Sequence, residues 1–169
     1  MPRAIDLVVT RCGSRYRGRY FPCSVGRGGI GRKSGEGDAI TPMGRWRIVG
    51  AGYRADRMPR PDVPFRANPI GPADIWSDDA LDPAYNQGFA ARNHPYSHEA
   101  VRRGDRLYDL VAMLDFNWPD PVAGAGSAIF LHAWRKPRYP TAGCVAFAPE
   151  VLRFILESWV PDARVIIRN

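Results

Sequence analysis

Seven prolines fall between Tyr53 and Pro95, and they limit what this part of the chain can fold into. Proline cannot donate a hydrogen bond to a β-ladder and it breaks helices, so any regular structure in this segment must be short. The segment is nevertheless rich in aromatic residues, in which disordered linkers are poor. These residues are Tyr53, Phe65, Trp76, Tyr85 and Phe89. We therefore expect an ordered segment that forms one wall, or a lid, of a binding site.

The length and composition are those of one globular domain, and we expect a single domain over residues 1–169. No apolar run approaches the roughly 18 residues that predict a membrane span. The first apolar run is also too short for a signal peptide. The net charge of +7 favours an anionic partner, although an arginine-rich solvated surface explains the charge equally well. Because no basic run with interleaved aromatic residues is present, we expect no binding of nucleic acid.

Short apolar segments separated by turns predict a mainly β fold. The predicted strands are AIDLVVTR (4–11), GRYFPCSVG (18–26), RWRIVGAG (45–52), RLYDLVAML (106–114), SAIFLHAW (127–134) and ARVIIR (163–168). One clear helix is predicted near the C-terminus, with Pro149 in its first turn, Val151 and Ile155 on its apolar face, and Pro161 at its end. The segment SHEAVRRG (97–104) predicts one or two further helical turns, capped by Ser97.

The first two predicted strands raise the question of a disulfide. A hairpin that turns on Arg17 and Gly18 sets Cys12 directly across from Cys23, close enough for a bond to form. A longer turn shifts the register by one residue and forbids the bond. A bridged pair would favour an oxidising compartment such as the cell envelope. Cys144 is left unpaired in either case.

Two other patterns match binding motifs only in part. The G-x-G-x-x-G at Gly26, Gly28 and Gly31 is not followed by a helical pattern, so we do not expect a dinucleotide site. His94 and His98 have a spacing that some metal sites use. Pro95 disturbs a helical pair, however, and no third ligand follows at a suitable distance. We therefore expect no metal site.

His132 and Cys144 form the best candidate for a reactive pair. His132 ends a predicted buried strand and Cys144 begins the next apolar stretch, so the two can meet at the rim of a sheet. A neighbouring imidazole can take the proton of a thiol and stabilise the thiolate. Gly143 lets backbone amides approach a developing oxyanion, and Thr141 can orient the turn. From the residues alone, a core cysteine beside an unrelated histidine is an equal alternative.

The stretch from His132 to Ala146 resembles the catalytic signature of the YkuD-type L,D-transpeptidase family. That signature is a histidine after a central strand, followed by Ser/Thr-His-Gly-Cys-hydrophobe-Arg/Asn. The resemblance continues upstream in VGRGGIGRKSGEGDAITPMGRWRI, WSDDALDPAYN and RLYDLV. The chain is similar to a short, single-domain proteobacterial branch that carries TAGC where the wider family has HGC. In this chain Ala142 replaces the second histidine, Ala146 replaces the Arg/Asn, and the His–Cys interval is shorter than usual.

The resemblance implies a mainly β sandwich or barrel with one clear helix and small helical turns, and a cysteine-dependent peptidoglycan transpeptidase. Cys144 corresponds to the acylated nucleophile, His132 to its base, and the carbonyl of Ala133 to the third catalytic element. Arg135 or Arg138 replaces the missing cation of the signature. The residues expected to contact substrate are Thr141, Trp134, Arg135, Arg138, Trp76, Tyr85, Asn86, Tyr108 and Asn117.

The implied partners are peptidoglycan stem peptides, one as acyl donor and one as the meso-diaminopimelate acceptor. No metal or cofactor is implied, and we expect a monomer in the periplasm or cell envelope. The family permits 1,3 and 3,3 cross-links, and the TAGC branch inclines towards 1,3. Water as acceptor would make the protein an L,D-carboxypeptidase or cross-link hydrolase. A non-catalytic peptidoglycan-binding module is the alternative from a different class.

Overall fold

The computed structural model describes all residues from 1 to 169 and contains fifteen short strands and one helix. The strands are β1 (Leu7–Thr10), β2 (Gly13–Tyr16), β3 (Arg19–Phe21), β4 (Ile30–Gly31), β5 (Thr41–Pro42), β6 (Gly44–Trp46), β7 (Ile48–Tyr53), β8 (Ala67–Pro69), β9 (Asp74–Ser77), β10 (Gly88–Ala90), β11 (His98–Ala100), β12 (Leu110–Leu114), β13 (Phe130–Ala133), β14 (Val145–Phe147) and β15 (Val165–Ile167). The helix, α1, spans Pro149–Glu157.

Two five-stranded sheets form the body of the protein. In the first, the terminal sheet, the strand order is β3-β2-β1-β15-β6, and β1 pairs in parallel with β15 so that the two ends of the chain meet. In the second, the central sheet, the order is β14-β13-β12-β7-β8. The prediction of a mainly β protein is confirmed, and none of the sheets closes into a barrel.

The main hydrophobic core lies between these two sheets and α1. It contains 23 buried residues, among them Leu7 and Ile167 from the terminal sheet and Leu131 from the central sheet. Helix α1 adds Leu152 and Ile155, because its apolar residues recur along one face. The predicted helix is confirmed with Pro149 in its first turn, but it ends at Glu157, before Pro161. No helix has the length and the apolar run that crossing a membrane requires.

The opposite face of the central sheet is covered in part by a third sheet, the outer sheet, with the order β10-β9-β11. On this face Val111 and Phe130 form a smaller buried cluster together with Cys144. Trp76 of β9 packs edge-on against Phe130, with 4.9 Å between the ring centroids. The proline-rich segment therefore contains short strands rather than a featureless loop, and they cover the face of the sheet that carries His132.

The prediction of helical turns at 97–104 is wrong, because the residues His98–Ala100 form strand β11. His98, Glu99 and Ala100 pair with Ser77, Trp76 and Ile75 of β9. The backbone groups that a helical turn would have paired locally are satisfied across this ladder instead. Long-range pairing of this kind is not visible in local sequence patterns.

The disulfide that one of the two possible hairpin registers would allow between Cys12 and Cys23 is absent, and both cysteines are free. The turn does fall at Arg17 and Gly18, and Ser14 pairs with Phe21 in the register that was predicted. The chain turns a second time between Thr10 and Gly13, however, so two strands replace one. Cys12 lies exposed in this additional turn, whereas Cys23 is buried in the main core. The cysteines therefore give no support to an oxidising compartment.

Candidate active site

A cavity of about 430 Å³ opens beside the face of the central sheet that carries His132. Its walls come from the glycine-rich loop before β5, from β11 and the loop after it, and from the segment between β13 and β14. Both His132 and Cys144 line this cavity. The structure therefore places both members of the predicted pair along one cavity.

The pairing of β13 with β14 explains why the two residues share a face. The strands are parallel, with Leu131 opposite Val145 and His132 opposite Ala146. Because side chains alternate along a strand, Leu131 and Val145 enter the main core, while Phe130 and His132 point to the cavity side. Cys144 immediately precedes β14 and is adjacent to Phe130, whose N–H donates to Cys144 Sγ at 3.4 Å.

His132 is held as a neutral imidazole with one nitrogen free. Its Nδ1 lies 2.7 Å from the carbonyl oxygen of Ala133, and because a carbonyl can only accept, Nδ1 carries the hydrogen. Burial lowers the pKa of His132 to about 4, against the opposing effect of that hydrogen bond. The imidazole is therefore neutral at pH 7, and its Nε2 is able to accept a proton.

Cys144 is held as a neutral thiol. Its Sγ lies 3.1 Å from the carbonyl oxygen of Ala128, to which the thiol donates, and the residue is only 9% exposed. Burial, followed by the negative charge of Glu99, raises the pKa of the Cys144 thiol to about 12. Thiolate is therefore scarce in the resting protein, and a reaction at this sulfur needs a base that takes the proton during the attack.

The turn before Cys144 is fixed by Thr141 and Gly143. Thr141 Oγ1 donates to the carbonyl oxygen of Cys144 at 2.6 Å and accepts from the Gly143 N–H at 3.1 Å. Gly143 has a φ of +146°, and a Cβ there would lie 3.1 Å from the carbonyl oxygen of Ile40. Only glycine fits this close approach without strain. The Gly143 N–H, one of the amides near the cysteine that we expect to approach an oxyanion, is bonded to Thr141 Oγ1 in this structure.

Four of the residues expected to contact substrate do line the cavity: Tyr108, Trp134, Arg135 and Thr141. Arg138 does not, because it lies in a separate surface depression that also includes Cys12 and Arg168. The remaining four also lie outside the cavity lining: Trp76, Tyr85, Asn86 and Asn117. Of the whole segment from Tyr53 to Pro95, only Asp78 reaches the cavity. Trp76 packs against the buried cluster that contains Cys144, on the same side of the central sheet as the cavity, but none of the segment's aromatic residues lines the cavity. That the segment forms a substrate wall stays a prediction.

Asn86 is buried next to Ala128, the residue whose carbonyl oxygen accepts the Cys144 thiol. It is 2% exposed, and its Oδ1 accepts from the Ala128 N–H and from Trp76 Nε1, each at 3.0 Å. Its Nδ2 donates to the carbonyl oxygens of Phe116 and Asn117 at 3.1 and 2.7 Å. Ala128, whose carbonyl accepts the Cys144 thiol, has a φ of +53° that a non-glycine residue rarely adopts. Asn86 thus fixes the strained residue that positions the sulfur.

We expect Asn86→Ala to destabilise the protein by about 3 kcal/mol, because it leaves four partly buried hydrogen-bonding groups without their partner at once. Any transferase activity should fall about 10- to 100-fold as the Ala128 carbonyl loses its position. Urea unfolding and product assays measure the two effects. Asn93→Ala, at an exposed asparagine, is the control and should change neither. An Asn86→Ala protein with the stability of the parent would contradict this account.

Several charged residues line the cavity that were not predicted from the sequence. Lys33 donates to Asp38 Oδ1 at 2.6 Å and to the carbonyl oxygen of Ile40 at 3.4 Å, and its side chain is only 5% exposed. Its charge partly offsets the rise in the pKa of the Cys144 thiol that burial and Glu99 cause. Glu99 and Arg103 line the cavity from β11 and the loop after it. The one feature of the sequence that could have drawn attention to Lys33 as a site residue is its rarity, since it is one of only two lysines among mostly arginine cations.

The depressed pKa of His132 predicts a stability that depends on pH. Its pKa is about 4 in the folded state and about 6.5 in the unfolded chain, so the unfolded state takes up the proton first as the pH falls. The stability that the neutral, buried His132 contributes is fully present above pH 6.5 and is lost as the pH falls towards 4. Between pH 7 and pH 5 we expect the free energy of unfolding of the parent protein to fall by roughly 2 kcal/mol more than that of His132→Asn. The variant lacks the buried imidazole, so it has no group at this position that titrates in this range. Urea unfolding at both pH values tests this, and equal losses would show that His132 is not buried as described.

The comparison with known families identifies the class of the chain. The sequence model of the YkuD family, the L,D-transpeptidase catalytic domain, matches residues 7–167 of the 169-residue chain. The chain therefore belongs to the YkuD family of L,D-transpeptidases, a cysteine-dependent family that acts on peptidoglycan. No curated protein and no solved structure matches the chain significantly.

Proposed function

We propose that the protein is a peptidoglycan L,D-transpeptidase that works through a thioester on Cys144. The observation that carries this proposal is the shared cavity: a neutral His132 with a free Nε2 lies on the same sheet face as the only cysteine that lines it. The match to the family over residues 7–167 supports the reaction type.

In the first step, Cys144 Sγ attacks the carbonyl carbon at an L-to-D junction of a donor stem peptide. The thiol proton passes to His132 Nε2 and then to the nitrogen of the leaving amine, so the C–N bond breaks as the C–S bond forms. The hydrogen bond from Nδ1 to Ala133 holds the imidazole and stabilises its protonated form. The products are a thioester on Cys144 and a free amine.

In the second step, the neutral amine of an acceptor stem attacks the thioester carbon. Its proton returns through His132 to the sulfur, the C–S bond breaks, and an amide cross-link forms. The new bond is 1,3 or 3,3 according to which L-to-D junction supplied the acyl group. Water in place of the amine yields hydrolysis, so the balance between the two products depends on how the acceptor is bound.

The charges around the cavity suit a substrate that carries carboxylates. Arg27 and Arg135 line the cavity, are exposed, and form no ion pair within the protein. Arginine binds carboxylates in a bidentate geometry, which is favourable for stem peptides. The family's substrate implies action in the periplasm or cell envelope. Arg135 takes the place of the cation that the family signature has after the cysteine.

Incubating the purified protein with defined muropeptides tests the proposal. Mass spectrometry should detect cross-linked dimers with the parent protein and none with Cys144→Ala. Shortened monomers without dimers would instead identify an L,D-carboxypeptidase. Binding to peptidoglycan without any change in the muropeptides would identify a non-catalytic module and would contradict the proposal.

A further inference from the structure

One wall of the cavity is acidic and faces the cysteine. Glu99 of β11 pairs with Trp76 of β9, and Asp78 lies two positions beyond Trp76 along the same chain. Because side chains two apart share a face and paired residues point the same way, Glu99 and Asp78 are diagonal neighbours, with Cβ atoms about 7 Å apart. Both residues line the cavity that contains Cys144.

The carboxylate of Glu99 is held in place with one oxygen free. Its Oε1 accepts from the Tyr108 hydroxyl at 2.7 Å and from Arg103 at 3.4 Å, while Oε2 makes no hydrogen bond within the protein. The side chain is 28% exposed, so a molecule in the cavity can reach it. The ring of Tyr108 also packs edge-on against His132, with 5.3 Å between the centroids. Glu99 is thus fixed relative to the catalytic histidine.

The acidic wall has fewer cations than carboxylates. Arg103 pairs with Asp105 at 2.8 Å as well as with Glu99, so one guanidinium serves two carboxylates. Asp78 Oδ1 is buried and has no hydrogen-bond partner. The hydroxyl of Ser127, a residue only 6% exposed, lines the same cavity and lies near the Tyr85 hydroxyl without a hydrogen bond of normal geometry. The carboxylate oxygens and this hydroxyl, which can accept as well as donate, are complemented by a positively charged donor with several N–H groups, such as an ammonium.

The negative charge of Glu99 opposes deprotonation of the Cys144 thiol. Its negative charge is, after burial, the main reason why the pKa of the Cys144 thiol is high, so it opposes formation of the nucleophile. Burial, with added effects of Asp78 and Asp105, raises the pKa of Glu99 itself. Both effects are relieved when a cation binds between the carboxylates. Because Glu99 hinders acylation of Cys144, we look for its role in the second step, the attack of the acceptor amine on the thioester.

We propose that Glu99 and Asp78 form the subsite that binds the ammonium of the acceptor stem before it attacks the thioester. This inference rests on the proposed function and deepens it, since it names the residues that favour amine over water as the acceptor. The bound ammonium releases one proton to solvent, and the resulting amine attacks as described above. Glu99 is a specificity-determining residue in this scheme, and Tyr108 positions it.

Acyl transfer with Glu99→Gln tests the proposal, using a muropeptide donor and free meso-diaminopimelate as the acceptor. We expect the acceptor concentration for half-maximal transfer to rise about 10-fold or more, because a charge-assisted hydrogen bond is lost. The ratio of hydrolysis to transfer should rise in parallel. The rate at which Cys144 is acylated without acceptor should stay within about 3-fold of the parent or increase, because the opposing charge is removed.

Asp78→Asn provides a second variant and should change the half-maximal acceptor concentration in the same direction. Glu150→Gln, at an exposed carboxylate on α1, removes the same charge far from the cavity and should change nothing. Acylation and transfer that fall together in both cavity variants would indicate a merely structural role and overturn the proposal. Unchanged partitioning in both would overturn it while leaving the proposed function intact. A parent protein that forms no acyl-enzyme would instead defeat the proposed function itself.

Discussion

Replacing Cys144 with alanine should abolish cross-link formation entirely while leaving the fold in place. The sulfur is the only atom in the cavity that can form the thioester, so no residual route through another nucleophile exists. The side chain is small, and its loss removes only a weak hydrogen bond to Ala128 and one from Phe130. We expect the melting temperature to change by no more than about 4 °C. Product analysis by mass spectrometry and a thermal melt measure the two expectations.

The other two cysteines provide matched controls. Cys12 is exposed and Cys23 lies in the main core, and neither lines the cavity. Cys12→Ala and Cys23→Ala should therefore both retain cross-linking activity. Dimer formation by Cys144→Ala at the level of the parent protein would show that the assigned nucleophile is wrong.

Replacing His132 with asparagine should lower the rate of acylation by about 100- to 10,000-fold at neutral pH. The asparagine amide can still donate to the Ala133 carbonyl, so the local structure is kept while the proton acceptor is removed. With a pKa of about 12, the Cys144 thiol cannot react appreciably without assistance. Raising the pH should recover part of the lost rate in the variant, because hydroxide then supplies the thiolate directly.

His98→Asn is the control for this experiment. His98 is exposed on β11 and donates from Nδ1 to the carbonyl oxygen of Tyr96, outside the cavity. Its replacement should leave the acylation rate within about 2-fold of the parent, since it does not line the cavity and makes no hydrogen bond or ring contact with His132. A larger loss with His98→Asn than with His132→Asn would show that the base has been assigned to the wrong histidine.

Local patterns predicted the parts of the fold that depend on local chemistry. The C-terminal helix follows from its apolar period and Pro149, and the hairpin turn at Arg17 and Gly18 follows from turn chemistry. The strand at His98–Ala100 could not be predicted in the same way, because its pairing partner lies on β9, far away in sequence. The second turn before Gly13 was missed for a related reason. It separates β1, which pairs with β15 at the other end of the chain, from β2.

The candidate site was predictable to the extent that its residues lie on adjacent elements. His132, Ala133, Thr141 and Cys144 belong to two paired strands and the segment that joins them, so one short stretch of sequence contains them all. The acidic wall comes from the outer sheet, and its position depends on how that sheet packs on the central one. Asn86 was expected to touch substrate because the segment from Tyr53 to Pro95 was expected to form a wall or lid of the binding site. Only the fold reveals that it is buried behind Ala128 instead.

The central claim is that Cys144 carries the acyl group of a stem peptide as a thioester, and intact-protein mass spectrometry tests it most directly. A variant with Cys12→Ala and Cys23→Ala retains Cys144 as its only cysteine. After reaction with a muropeptide donor and quenching in acid, this protein should gain the mass of the acyl fragment. The added mass should disappear when meso-diaminopimelate is supplied before the quench, with a matching amount of transfer product. Cross-linking without any adduct on Cys144, or an adduct that persists in Cys144→Ala, would contradict the account.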